Sequence, residues 1–144
     1  MAGFVTQGLD SLILDLQAVA SMPEEVQDDI LNAEADVVVP AQRRKVREMG
    51  IYDGSSPVHV ANAIKKSKPK TDRHGHRVIY ITPKGSRKRG NTTTRNAEIL
   101  YVNEFGKRGQ AARPAVATAN AESEAETTAA GLKVWSDYLT KNNL

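Results

Sequence analysis

The chain has 144 residues, 40% of them hydrophobic and 5% aromatic, with no cysteine and a formal net charge of +3. That length suits one domain with a core of its own, built from Leu, Ile, Val and Ala rather than large rings; the absent cysteines exclude a disulfide framework, a thiolate metal site and a Cys nucleophile. The net charge hides a split: residues 1–42 hold eight acids and neither Lys nor Arg, whereas residues 65–95 hold eleven bases against one acid, Asp72.

Val5, Leu9, Leu12, Leu16 and Val19 recur at steps of four and three, with Ile13 widening the stripe, which predicts an amphipathic helix of about five turns. No basic region precedes it, and no apolar run approaches the roughly 20 residues that span a bilayer, so neither a secretory signal nor a membrane span is expected. Ser21-Met22-Pro23-Glu24 has the form of a capping box, and Glu24, Glu25, Asp28 and Asp29 place acid at the positive end of a second helix. Its apolar stripe is Val26, Ile30, Ala33, Val37 and Ala41; Arg43, Arg44, Lys45 and Arg47 suit its C-terminal end, and Gly50 stops it. Pro40 removes one i to i−4 hydrogen bond and predicts a kink or short break near Val37–Val39.

A turn over Asp53-Gly54-Ser55-Ser56-Pro57 leads to a short helical stretch, Pro57–Ala63, and then to a Lys-rich edge strand, Ile64–Lys70. Thr71–Gly75 reads as a hairpin turn and His76–Thr82 as a strand, with Val78 and Tyr80 on one face. Pro83–Arg95 has no apolar residue beyond its proline and exceeds an ordinary hairpin connection, so it reads as a long basic loop, mobile or ordered by a partner. The densest apolar run of the second half, Ile99, Leu100, Tyr101, Val102 and Phe105, predicts a central strand over Ala97–Phe105 that pairs with residues 76–82. Gly106 and Gly109 stop that strand, and Pro114 opens the last helix. Along this helix Ala121, Ala125, Thr128, Leu132, Trp135 and Leu139 form the seam expected to be buried. The sum is a single α+β domain, 1–144: a helical part over 1–50, sheet and loops over 51–112, and a C-terminal helix over 113–140. Two N-terminal helices and the long C-terminal one are expected to pack on a small antiparallel β-sheet that carries the basic loop.

Chemistry finds little purchase here. Gly85-Ser86-Arg87-Lys88-Arg89-Gly90 lacks the spacing and the Lys-Ser/Thr pair of a phosphate loop. His74 and His76 have no carboxylate or cysteine constellation to complete a metal site, His59 stands alone, and Ser55 and Ser56 have no placed base. Glu98 and Glu104, on one face of the expected strand, would lie roughly 20 Å apart, too far for a carboxylate pair. No catalytic residue, metal or cofactor is expected, and the chain does not read as an enzyme.

Tyr101-Val102-Asn103-Glu104-Phe105-Gly106 is followed by a Gly/Gln/Ala loop, Arg113-Pro114 and an alanine-rich helix. This resembles the small neck or tail-completion proteins of long-tailed bacteriophages, a minor structural family of head–tail joining. Its specific part is Tyr101–Gly106 and Arg113–Ala119, supported by the order of features: acidic helices, a Lys-rich segment, a strand, then the signature. Lys107 stands where the family usually has Thr, and residues 53–57 replace its usual Thr-Gly-x-Leu. The resemblance implies a virion structural protein, assembled in the host bacterial cytoplasm, that works as a hexameric ring subunit completing the tail and joining it to the head. Implied partners are further copies of the chain and neighbouring neck, head-closure or tail-terminator proteins, with no membrane. Tyr101, Glu104, Phe105, Gly106 and Pro114 form the structural signature. The charge pattern makes Lys84, Arg87, Lys88, Arg89, Arg95, Lys107 and Arg108 the interface candidates, facing an acidic neighbour before DNA in the ring. The alternative is a nucleic-acid-binding module using residues 65–95, where Tyr80 alone could stack on a base. A strand over 97–105 is required by both the fold and the family readings.

Overall fold

A computed structural model of the chain describes residues 20–51 and 58–144, together with Gln17. The predicted N-terminal helix, apart from Gln17 and Ala20, and the whole of the predicted turn over 53–57 lie outside the described residues. The rest is α+β, with three α-helices and small antiparallel ladders.

The first described helix, α1, runs Glu24–Glu48. Glu24 and Glu25 occupy its first turn as the dipole argument requires, but the capping box does not form: Pro23 is the N-cap, and the Ser21 hydroxyl donates to the Gln17 carbonyl at 2.7 Å. The helix continues through Pro40 without the expected break. Pro40 is exposed, so water can take up the carbonyl it frees, and burial of the opposite face by Ala35, Ala41, Gln42 and Val46 holds the helix together.

The long helix, α3, runs Ala115–Lys141 with Pro114 as its N-cap. It lies antiparallel against α1: Gln42 Nε2 donates to Asn120 Oδ1 at 2.9 Å, Lys45 pairs with Glu122 at 2.7 Å, and Glu34 sits over Gly131. The side it presents to α1 is built from Ala115, Ala119, Ser123 and Gly131, all buried. This is not the predicted seam. Ala121, Ala125 and Thr128 are exposed, Leu132 is 59% exposed, and Trp135 and Leu139 are only half-buried. Small residues won because they let two helix backbones come close, which bulky side chains prevent.

Between these helices runs a β-arm. After a 3-10 turn, Val60–Ala63, β1 (Ile64–Lys66) pairs antiparallel with β4 (Ile81–Pro83), and β2 (Lys70–Thr71) pairs with β3 (Arg77–Val78). The predicted single strand over 76–82 is therefore two short ones. Three residues, Ser67–Pro69, face two, Ile79 and Tyr80, which is a bulge. There Ser67 N–H donates to the Tyr80 carbonyl at 2.8 Å, and Tyr80 N–H donates to the Ser67 hydroxyl at 3.0 Å. The predicted hairpin turn forms, closed by Asp72, whose Oδ1 accepts the N–H groups of His74 and His76 at 2.8 and 2.9 Å. Those bonds and the neighbouring His76 ring hold the Asp72 carboxyl below its ordinary range.

The stretch expected to be the central strand is a helix, α2 (Asn96–Phe105). Its buried positions are Asn96, Ile99, Leu100 and Asn103, spaced i, i+3, i+4 and i+7, which is helical spacing. It cannot pair with residues 76–82, whose partners are β2 and β1. Ile99 and Leu100 enter a core with Val46, Ile51, Val60, Ile64 and Ala115, so the helix is placed by the packing of one face. Trimming a fully buried member such as Ile51 or Ile64 to Ala should cost roughly 2–5 kcal/mol.

Candidate functional site

The signature residues build a joint between α2 and α3. Gly106 follows α2 with φ +77 and ψ 175, turning the chain sharply. Lys107 and Gln110 then exchange backbone hydrogen bonds at 3.1 and 2.9 Å around a tight turn with Gly109 at φ +81. This returns the chain so that Arg113 N–H donates to the Asn103 carbonyl at 2.6 Å. From α2, the Glu104 carboxylate accepts the N–H groups of Val116 and Ala117 at 2.9 and 2.8 Å. It satisfies two of the free donors at the start of α3 and places negative charge on the positive end of that helix. Pro114 needs no such partner, having no N–H.

Asn103 and Arg113 complete the joint, and neither carried weight in the sequence reading. Buried Asn103 donates to the Ile99 carbonyl at 2.8 Å, and its Oδ1 accepts from Arg113 at 2.8 Å and from Gln110 at 3.2 Å. The Arg113 guanidinium also reaches the Met49 and Gly50 carbonyls, each at 3.3 Å, tying the joint to the C-terminal end of α1. Both lie in the stretches that carry the resemblance, Tyr101–Gly106 and Arg113–Ala119, but neither was given a role of its own.

With its polar groups occupied, the joint turns two rings outward. Tyr101 and Phe105, one helical turn apart, are 65% and 67% exposed with ring centroids 4.8 Å apart. Phe105 therefore stands outside the core; on a helix its position faces away from Ile99 and Asn103. The rings border a groove of about 380 Å³ lined by Ile81, Pro83, Leu100, Val116 and Ala117. Glu98 and Glu104 are also closer than a strand would set them, about 9 Å along the helix axis, but the Glu104 carboxylate is taken up by α3.

The basic stretch is ordered within the chain. Pro83–Arg95 holds a hairpin of β5 (Ser86–Arg89) and β6 (Thr92–Arg95), closed by Gly90 at φ +63 and Asn91. Gly at the first of two turn positions is what a tight hairpin needs, and Thr is at home in a strand, so the ladder forms locally. Its base is pinned by buried Asn96, which accepts from Arg87 Nε and donates to the Lys84 carbonyl, both at 2.8 Å. Arg87 also donates to the Val58 carbonyl at 3.1 Å. Of the interface candidates, Arg87 is thus half-buried and structural, while Lys84, Lys88 and Arg95 are exposed. Arg89 is the last residue of β5. Lys107 and Arg108 are exposed in the turn after α2, at the far end of that ten-residue helix from Arg95. Ten residues of helix set these two groups about 15 Å apart, so the candidates form two patches.

Part of the charge split of the sequence is closed inside the chain. Arg77 grips Asp28 with Nε and NH2 at 2.9 and 2.7 Å and meets Glu24 at 3.0 Å; Lys66 pairs with Asp36 at 2.7 Å. The β-arm is thereby laid along α1, and the carboxylates hold the Arg77 guanidinium above its ordinary range. His59 Nδ1 accepts from Ala61 N–H at 3.0 Å and caps the 3-10 turn. Among the described residues no group of three or more His, Asp or Glu side chains could hold a metal, and no helix is long and apolar enough to cross a membrane. Comparison with protein-family models, with curated proteins and with solved structures finds no match.

Proposed function

We propose that the chain is a structural subunit of the neck or tail end of a long-tailed bacteriophage, and that copies of it form a ring that completes the tail and helps join it to the head. The observation that carries the reading is the surface made by the signature. Tyr101 and Phe105 stand exposed beside an apolar groove, while Glu104, Asn103 and Arg113 are spent on holding three helices in place. Exposed paired aromatics at the edge of a groove suit a protein–protein contact, and the site as built offers an interface rather than a reaction.

The strand over 97–105 that the sequence analysis required for this reading is absent, residues 96–105 being a helix, so the order of elements no longer supports the family and the proposal rests on the signature residues and the surface they make. The acid-to-base contact between copies also narrows. With Arg77 and Lys66 satisfied internally, exposed Lys84, Lys88 and Arg95 at the hairpin, and Lys107 and Arg108 in the turn after α2, are the interface candidates left to meet acidic residues of a neighbour, such as the exposed Glu124 and Glu126 of α3. Further copies, neighbouring neck, head-closure or tail-terminator proteins, and location in the virion follow from the resemblance.

Native mass measurement and negative-stain imaging of the purified chain, alone and with a tail-end partner, test this. The parent should form rings, and Tyr101→Ala with Phe105→Ala should leave folded protomers that do not. A parent that stays monomeric at every concentration, partner included, would overturn the reading. One observation favours a second reading, nucleic-acid binding: the exposed bases sit on a two-stranded ribbon, a shape that enters a major groove. In that case affinity for duplex DNA falls linearly with salt on logarithmic axes, with a slope near −0.9 per phosphate neutralised.

A further inference from the structure

Two exposed surfaces of the chain complement each other. The first is the groove of about 380 Å³ beside Tyr101 and Phe105, lined by Ile81 and Leu100 among others. The polar groups in its wall are already spent. Gln42 donates to Asn120 at 2.9 Å, and the Glu104 carboxylate accepts from the first N–H groups of α3, so the groove offers an occupant an apolar interior. Its rim is basic: exposed Lys84 follows Pro83 of the wall, exposed Lys107 and Arg108 follow Phe105, and Arg95 shares a neighbouring depression with Tyr101.

The second is the side of α3 turned away from α1. Ala121, Ala125, Thr128 and Leu132 are exposed there and follow each other at steps of four, three and four, which puts them in one line. Anchors so spaced are what a helix uses when it lays one face in a groove. The three small residues let another backbone come close, and Leu132, 59% exposed, is the large apolar side chain of the four. This face has an acidic rim. Between Pro114 and Leu132 the chain holds Glu122, Glu124 and Glu126 and no base; Lys45 takes up Glu122, and Glu124 and Glu126 stand exposed. The two surfaces cannot meet within one chain, because Ala117 of the groove wall and Leu132 lie on the same helix, about 23 Å apart along its axis.

We propose that the outer face of α3 of one copy, through Ala125, Thr128 and Leu132, docks in the Tyr101–Phe105 groove of a second copy, with Glu124 and Glu126 against the basic rim. The contact rests on the assembly of copies proposed above and names the two surfaces that meet in it. Because the surfaces differ and every copy carries both, the contact is head-to-tail: each subunit gives its α3 to one neighbour and receives an α3 from the other, and a rotation that closes makes a ring. The apolar centre supplies the affinity, while the charged rim sets the direction of docking and makes its rate sensitive to salt.

Two variants, each with one surface removed, test the pairing by analytical ultracentrifugation. Leu132→Asp brings a carboxylate to an apolar groove and should weaken self-association roughly tenfold or more. Tyr101→Ala with Phe105→Ala strips the groove and should do the same. All three side chains are exposed, so both variants should keep the parent's circular dichroism and unfolding midpoint. Each alone should sediment as a monomer. Mixed, they should form one-to-one dimers that grow no further, since the intact groove of the first accepts the intact α3 of the second. Absence of dimers in the mixture, or assembly of Leu132→Asp like that of the parent, would overturn the pairing, while rings of the parent would keep the reading of assembly. A parent that is monomeric alone and assembles only with a tail-end partner would give the groove to that partner and overturn the pairing alone. A parent that is monomeric under every condition would overturn both.

Discussion

Gly106 is held by two constraints at once. Its φ of +77 lies where L side chains are strained, and a Cβ there would come within 2.9 Å of the Gln110 carbonyl oxygen and 3.0 Å of the Ala112 nitrogen. Both are backbone atoms and cannot swing aside. Gly106→Val is expected to lower soluble yield and to destabilise by roughly 2 kcal/mol or more; unfolding curves that overlay the parent's would show that the turn is not constrained. Glu104 acts on the same joint from the other side. Its loss leaves two N–H groups of α3 without a protein partner, so Glu104→Ala should cost roughly 1–2 kcal/mol in denaturant titration. Glu104→Gln keeps an acceptor but loses the charge opposite the helix dipole, and should fall between the two.

At the scale of elements, the α1–α3 contact turns on Gly131 and Glu34. A Cβ at Gly131 would meet Glu34 Oε1 at 2.3 Å and Cδ at 3.0 Å, the movable end of a side chain. Gly131→Ala gains about 1 kcal/mol of helix propensity but must displace that carboxyl, so alone it should be near neutral. In a Glu34→Ala background the gain of about 1 kcal/mol should appear, and a double-mutant cycle measures the coupling. Equal effects in both backgrounds would mean that Glu34 does not hold the position. Burial also lifts the Glu34 carboxyl above its ordinary pKa of 4.5. A raised folded-state value favours folding fully below the unfolded value, and that contribution is lost as pH rises through the folded one. Glu34→Gln should therefore be more stable than the parent at pH 7, with the difference gone below about pH 4. Asp72 runs the other way, its stabilising share being lost as pH falls through its lowered value, so the comparison must be variant against parent at each pH.

For the whole molecule, the basic hairpin is one of two exposed basic patches, the other being Lys107 and Arg108. Arg87 is part of its base through Asn96 and Val58, so removing it tests folding rather than contact. Lys84, Lys88 and Arg95 are the side chains to replace, by Ser. Joining of heads to tails should fall, while binding to duplex DNA is weak before and after, because a passage for DNA works better if its wall does not hold the passenger. Unchanged joining with abolished DNA binding would reverse that order, and no change in either would move the functional interface to Tyr101 and Phe105.

Local chemistry was enough for the parts of this fold that close over a few residues. Asp72 and Gly75 specify their turn, Pro114 opens its helix, Gly106 ends its element although that element is a helix and not the expected strand, and the acids of α1 sit in its first turn without help from the rest of the chain. Two larger features needed the tertiary structure, each for a definite reason. Ile99-Leu100-Tyr101-Val102 is apolar at every position, so a period of two and a period of 3.6 fit it alike. The helical period appears once Asn96 and Asn103 are counted as buried. They are buried only because Arg87, Lys84, Gln110 and Arg113 arrive from elsewhere to satisfy them. On α3, hydrophobic spacing singled out Leu132, Trp135 and Leu139, and the contact with α1 went instead to Ala115, Ala119, Ser123 and Gly131. Which of two apolar faces a helix gives to its neighbour depends on how closely the two backbones can approach, and that is a property of the pair.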